Sequence, residues 1–281
     1  MQFFADFNSP GSILPTALLA ILLASIACGM MGSYVVARRG SYMVGAISHS
    51  LLGGIGCACF LQHKWPNFPF TPLLGAVIAA IIAAVLITCL SRNQDSRQDT
   101  ALSAVWTLGT AIGLSFMHAL PGYANDLHGY LFGSILLVTP NELWTMAVLD
   151  IVLGVTVFLL HNRFLSFCFH EEGLRLRGVN VKRVALILNI LISVTVVMLA
   201  QIAGLILCLA LLILPVATAS RFSRSLPRIM LLSSVICFVT ATIGLIASYE
   251  WNLPTGTLIV ELAGGIYLLA SLVSLLRREI R

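Results

Sequence analysis

The chain has 281 residues, of which 59% are hydrophobic and only 10% are charged. Soluble domains carry about 25% charged residues, so this composition, with a mean hydropathy of +0.99, excludes a water-soluble globular fold. The net charge of +5 does not indicate nucleic-acid binding, because the basic residues stand in small groups between long apolar runs, a pattern that orients membrane helices.

Apolar runs long enough to cross a bilayer occur about nine times along the chain, which predicts an all-α integral membrane protein. A helix needs about 20 apolar residues to cross the hydrocarbon core. The sixth and seventh runs are joined by almost nothing, so eight crossings are the alternative count. The runs cover residues 13–36, 41–62, 71–91, 101–119, 142–160, 184–201, 204–220, 229–249 and 257–276.

Lys and Arg residues indicate the orientation. If the N-terminus is outside, nine crossings leave fifteen of the sixteen Lys and Arg residues in inside segments, and only Lys64 outside. Positive charge is retained on the cytoplasmic side during insertion, so we expect a cytoplasmic C-terminus. No hydrophilic domain interrupts this pattern, and residues 1–281 are predicted to form a single transmembrane domain. A shorter apolar piece, residues 129–138, is expected to be re-entrant or interfacial.

Three ionisable residues inside the apolar runs are candidates for function, because such groups are costly in hydrocarbon. His49 is surrounded by small residues, and a neutral imidazole is a common ligand for transition metals; the alternative is a histidine hydrogen-bonded to a neighbouring helix. Asp150 and Glu261 either line a polar path or bond to a neighbouring helix, and Glu261 also lies near enough to the outer end of its run to reach the interface.

The longest inside segment, residues 161–183, is polar. It is either a solvated connector or a docking surface for a cytoplasmic partner. The sequence contains no phosphate loop of the form G-x-x-x-x-G-K-[ST], no H-E-x-x-H and no G-x-S-x-G. We therefore expect no enzyme activity in this chain, and any ATP-driven process would need a separate subunit.

Four segments together resemble motifs in the membrane subunits of ABC-type importers for zinc, manganese and iron(II). They occur in the family's order over nearly the whole chain. They are residues 38–42 (RRGSY) with 47–49 (ISH), residues 129–136 (GYLFGSIL), the pairs 172–173 and 177–178 (EG and RG), and residues 203–219.

The resemblance implies a permease in the bacterial cytoplasmic membrane that carries a divalent ion, zinc or manganese foremost and iron as a further choice. It implies no tightly bound cofactor and no nucleic acid. The implied partners are a second permease copy, identical or paralogous, two cytoplasmic ATPase subunits and an extracytoplasmic metal-binding protein. The ATPase subunits would dock on a coupling segment near residues 164–183, at Glu171, Glu172, Gly173, Arg177 and Gly178.

The resemblance implies that His49 is a transient metal ligand. The family usually has an acidic residue four positions earlier, where this chain has Gly45, so the site would be completed by Asp150, by Glu261 or by a second copy. Two alternatives remain open: an ABC permease for an iron–siderophore or cobalamin-type cargo, and a secondary transporter that acts alone.

Overall fold

The computed structural model describes residues 13–65, 69–90, 95–120, 133 and 135–279. In these ranges the chain is helical and contains no strand, which confirms the predicted all-α class. The helices in chain order are α1 Leu14–Ala37, α2 Ser41–Lys64, α3 Pro72–Leu90, α4 Asp95–His118, α5 Pro140–Phe169, α6 Glu171–Leu176, α7 Val181–Phe222, α8 Leu226–Trp251 and α9 Thr255–Glu279, and a 3-10 turn lies at Ile135–Leu137.

Eight helices in the described part of the chain are long and apolar enough to cross a membrane, all of them except α6. The predicted runs 184–201 and 204–220 both lie in α7, which has 42 residues and leaves helical geometry at Gly204 (φ 78°, ψ 165°). A straight helix of that length would measure about 63 Å, about twice the hydrocarbon thickness. The number of crossings, eight or nine, therefore depends on how the chain continues through Gly204.

The break in α7 coincides with a close backbone contact. Gly133 has a φ of 55°, and a Cβ atom there would overlap the backbone of Ala203 and Gly204. Glycine alone adopts that conformation without strain and leaves that space open. Gly133 belongs to the short apolar piece at residues 129–138, which is expected to be re-entrant or interfacial. Residues 129–132 and 134 of that piece lie outside the described residues.

Local signals explain where α5 begins. The Thr139 N–H donates to the Glu142 carboxylate (2.7 Å), and the Glu142 N–H lies 3.4 Å from the Thr139 hydroxyl oxygen. This reciprocal capping box satisfies donors that the first helical turn leaves unpaired. Pro140, the first helical residue, has no N–H that would need a partner.

The described residues form two compact units. One contains most of α1, the first part of α5, the end of α7 and helices α8 and α9, and its boundaries are residues 1–36, 132–159 and 202–281. The other covers residues 37–131 and 160–201. In the first unit α8 packs against α9, and in the second α2 packs against α3 and α4.

Glycines bring α2 close to both of its neighbours. A Cβ on Gly53 would lie 3.0 Å from the carbonyl oxygen of Gly109 in α4, and a Cβ on Gly54 would overlap the carbonyl of Gly75 in α3. Small residues at such contacts let membrane helices approach backbone to backbone. The position of α4 therefore determines which residues of that helix contact His49.

Cysteine labelling in spheroplasts tests the number of crossings and the orientation. Glu172 and Arg224 are exposed residues that flank α7, so two crossings within α7 place them on the same side. We expect cysteines at both positions to react with a membrane-impermeant maleimide only after the membrane is opened, because positive charge stays in the cytoplasm.

Lys64→Cys is the matched control, since nine crossings place it outside, where it reacts in sealed spheroplasts. Cys89 and Cys168 are replaced by serine in all variants to remove native background labelling. Labelling of Glu172→Cys and Arg224→Cys from opposite sides would show that α7 crosses once.

Candidate functional site

His49 lies on α2 against the aromatic face of α4. Its imidazole is stacked on the Trp106 indole, with ring centroids 4.6 Å apart and an interplanar angle of 20°. The Tyr42 ring stands 6.1 Å from the same indole at 55°. His49 itself is only half-buried.

A hydrogen bond to Thr110 holds the imidazole ring of His49. Its Nδ1 lies 3.1 Å from the Thr110 hydroxyl oxygen, and that hydroxyl donates its proton to the Trp106 carbonyl at 2.9 Å. A hydroxyl has one proton to donate, so Nδ1–H donates to Thr110 in the arrangement in which that proton is donated to the Trp106 carbonyl. The lone pair of the neutral imidazole is then on Nε2, which is the state that binds a metal ion.

The space beside Gly45 is filled by Trp106. A Cβ atom at position 45 would lie 2.5 Å from Cζ3 and 3.0 Å from Cη2 of the indole. Position 45 is one helical turn before His49 and on the same face of α2. A carboxylate is therefore absent at this position and could not enter without moving the indole.

Asp150, in α5, is 8% exposed, and neither carboxylate oxygen has a hydrogen-bond partner among the described residues. A buried polar group without a partner is unfavourable, and an ionisable group in a span is a candidate for function. Asp150 belongs to the first unit, whereas His49 belongs to the second.

Glu261, in α9, is exposed and borders a cavity of about 170 Å³. Thr257 and Gly256 of the same helix and Ile206 of α7 line that cavity with it. Like Asp150, Glu261 belongs to the first unit.

The described residues contain no group of three or more His, Cys, Asp and Glu side chains placed to hold a metal ion. The expected completion of the His49 site by Asp150, by Glu261 or by a second copy stays a prediction. What the arrangement offers is one oriented imidazole nitrogen, which suits brief contact with an ion rather than tight retention.

The predicted coupling segment contains the short helix α6. Leu174 is 3% exposed and anchors it, whereas Leu176 is 88% exposed. Glu171 and Glu172 stand at its N-terminus, where negative charge is favourable. The segment thus presents charged groups and an apolar side chain at the surface.

Gly178 ends this segment. It has a φ of 73°, and the Val179 N–H donates to the Leu174 carbonyl at 3.3 Å across it. This bond across a left-handed residue is typical of a Schellman cap. By contrast, Gly173 lies within α6 and has space for a Cβ, whose nearest neighbour would be 3.8 Å away. Of the two predicted glycines, Gly178 is the one that the backbone requires.

Arg38 connects the start of α2 to this segment. Its guanidinium lies 4.0 Å from the centroid of the Phe167 ring, near the C-terminus of α5. Burial lowers the pKa of Arg38, while the nearby Cys168 and Glu171 raise it. Arginine keeps its charge under such shifts, so a cation–π contact and an acidic neighbour hold it beside α6.

Sequence reasoning identified His49 but not its partners Trp106 and Thr110. The available signal was that Gly45 and Gly53 stand one turn to either side of His49, which leaves room for a bulky residue of another helix. No sequence signal pointed to the contact between Arg38 and Phe167.

The comparisons with known proteins agree with one another. A model of a family described as the ABC 3 transport family matches residues 11–274. A "Probable metal transport system membrane protein" of Chlamydia trachomatis serovar D is 39% identical over 257 residues, which cover 92% of this chain and 87% of that protein. The "Manganese transport system membrane protein MntC" of Listeria monocytogenes is 31% identical over 261 residues, covering 93% and 90% of the two chains.

A solved structure is similar over almost the full length. It is described as "PsaBC from Streptococcus pneumoniae in complex with Fab", and the matched chain superposes with a TM-score of 0.82 at 26% identity. The match covers 96% of this chain and 94% of that chain.

A pair of threonine variants tests the hydrogen bonding at His49. We expect Thr110→Val to lower the stability of the protein in detergent by about 1–3 kcal/mol, because it leaves the buried side of the imidazole without its acceptor. Thr107→Val is the matched control on the same helix, since the exposed Thr107 hydroxyl bonds only to carbonyls of α4. The melting temperature of each variant measures the effect. Equal values for the two variants would contradict the assigned bond.

Proposed function

The chain belongs to the ABC 3 transport family and is a multi-span permease subunit of the bacterial cytoplasmic membrane, and from this premise we propose that it imports a divalent transition-metal ion. In this proposal it hydrolyses no ATP itself, and a separate cytoplasmic subunit does so. The ion arrives from an extracytoplasmic binding protein.

One observation carries the proposal for the cargo: His49 is a half-buried imidazole in a membrane-spanning helix, and of its two ring nitrogens Nδ1 alone has a hydrogen-bond partner among the described residues. An ionisable residue in a span marks a transport path more often than a structural position. Metal-binding histidines usually hydrogen-bond through the ring nitrogen that does not face the metal, and here Nδ1 makes such a bond to Thr110. The printed names of the relatives, which describe metal and manganese transport, support the same class of cargo.

The surface around α6 is proposed as the docking site of the ATPase subunit. The exposed side chains of Glu171, Glu172 and Leu176 lie on a helix held to the protein by the buried Leu174. Protein interfaces have an apolar centre and a polar rim, and Leu176 would supply the apolar contact between the two glutamates and Arg177. Arg177 and the helix-ending Gly178 follow directly, so the docking surface has a defined end.

A second copy of the chain is proposed to complete the path. Glu261 is exposed on α9, and Cβ atoms at Gly264 and Gly265 would meet nothing within 4 Å. A carboxylate is unfavourable in contact with lipid chains, and small residues favour close approach of another helix. This face of α9 therefore suits water or a second permease better than lipid.

Replacing His49 tests the cargo proposal. We expect His49→Ala to reduce ATP-dependent uptake of divalent metal ions at least about tenfold, since a lost ligand interaction of 1.4 kcal/mol already has that effect. Uptake of radioactive zinc, manganese and iron is measured in proteoliposomes that contain the permease, the ATPase subunit and the binding protein.

His63→Ala is the matched control, because His63 is exposed in the last turn of the same helix. Unchanged uptake of all three ions in His49→Ala would remove His49 from the path. If the cargo is instead a metal chelate, the system would take up chelated iron and none of the three free ions.

Replacing Arg38 tests how the ATPase is coupled to transport. We expect Arg38→Gln and Phe167→Leu each to lower the amount of ion moved per ATP roughly threefold or more, since a partly buried cation–π contact contributes about 1–2 kcal/mol. Arg39→Gln is the matched control, because the adjacent arginine is exposed and has the same charge. The ratio of uptake to ATP hydrolysis is the measurement. A loss of the same size in Arg39→Gln would assign the effect to charge rather than to the contact.

A further inference from the structure

The proposed ion contact at His49 has an unusual donor set. On α2, the positions one turn before and after His49 are Gly45 and Gly53, which carry no side-chain donor. Residues one turn away on the same face are the ones that share a ligand on a helix. No second ligand can therefore come from α2 itself.

The facing helix supplies none either. Trp106 presents an aromatic face to the imidazole, and Gly109 follows where α4 touches α2. Thr110 accepts from Nδ1 and gives its own proton to the Trp106 carbonyl, so its hydroxyl acts as a support for His49. α2 contains no Asp or Glu, and the two of α4, Asp95 and Asp99, precede Trp106 by about two turns or more, so these two helices offer an ion the imidazole of His49 and no carboxylate beside it.

The absence of a carboxylate is built into the packing. The indole of Trp106 occupies the space where a side chain at position 45 would begin, 2.5 Å from the position of that Cβ. The same ring is stacked on His49. Trp106 therefore stacks on the imidazole and also occupies the space that a side chain at position 45 would need, so an oxygen ligand could enter there only if the indole moved.

Ions differ in how well such a site suits them. Manganese(II) prefers carboxylate, carbonyl and water oxygens and stands at the weak end of the affinity order for nitrogen ligands, whereas zinc is well suited to imidazole. We infer that the passage at His49 favours zinc over manganese, and that Trp106 together with Gly45 determines this preference. The inference rests on the proposed function and adds the identity of the preferred ion.

The experiment adds the missing carboxylate. The double variant Gly45→Asp/Trp106→Ala opens the space and places a carboxylate one turn before His49, and Trp106→Ala alone is the matched control. Uptake of radioactive zinc and radioactive manganese is measured in proteoliposomes with the ATPase subunit. The binding protein is saturated with the metal under test in every assay and is the same for all variants, so that its different affinities for the two ions limit neither the native comparison nor the comparison between variants.

We expect the native chain to move zinc faster than manganese. The double variant should raise the manganese-to-zinc ratio about tenfold over Trp106→Ala, a change equivalent to about 1.4 kcal/mol. Manganese uptake as fast as zinc uptake in the native chain overturns the inference and leaves the proposed function standing. An unchanged ratio in the double variant, with zinc uptake retained, overturns the role of position 45. If the native system moves no divalent ion when ATP is supplied, the proposed function fails and the inference fails with it.

Discussion

The backbone contact between α2 and α4 is the interaction on which the geometry around His49 depends. Lipid chains are as apolar as the side chains of a span, so helices associate in a membrane through close packing and hydrogen bonds. A Cβ atom on Gly53 would lie 3.0 Å from the Gly109 carbonyl oxygen, and one on Gly109 would lie 2.7 Å from the Cα atom of Ser50. Trp106 precedes that contact by about one turn, which sets its indole against the imidazole at 4.6 Å. A larger residue at the glycine contact would push α4 away and separate the two rings.

Hydrophobic run length was enough to predict most of the fold. The runs at 13–36 and 41–62 correspond closely to α1 and α2, because each is bounded by residues that hydrocarbon does not accept. The run length did not predict that residues 181–222 form one element with a break at Gly204. That break depends on the backbone of Gly133, which lies far away in the sequence, and a local apolar pattern contains no information about such a contact.

The candidate site was predictable in part. His49 stood out because an ionisable group in a span is rare, and the glycine at position 45 indicated that an acidic ligand was missing. Sequence alone could not show that an indole fills that space or that Thr110 hydrogen-bonds to the imidazole, since both depend on the rotation of α4 about its axis. Asp150 and Glu261 were predicted from chemistry alone, and their roles remain predictions, because burial and a nearby cavity describe their surroundings without assigning a ligand.

The two regions of the second unit for which a function is proposed lie at Arg38 and at His49, and α2 covers the distance between them from Ser41 onward. Arg38 contacts Phe167 just before α2 begins, and His49 follows Ser41 by about 12 Å along the helix axis at 1.5 Å per residue. An α-helix is stiff over that distance, whereas the link from Arg38 to Ser41 is not helical and includes Arg39 at a φ of 55°. The His49 ring is held by groups of α4, so movement of α2 against α4 changes the direction of Nε2. α2 therefore begins three residues after the contact between Arg38 and Phe167 and positions the His49 ring about two turns beyond Ser41.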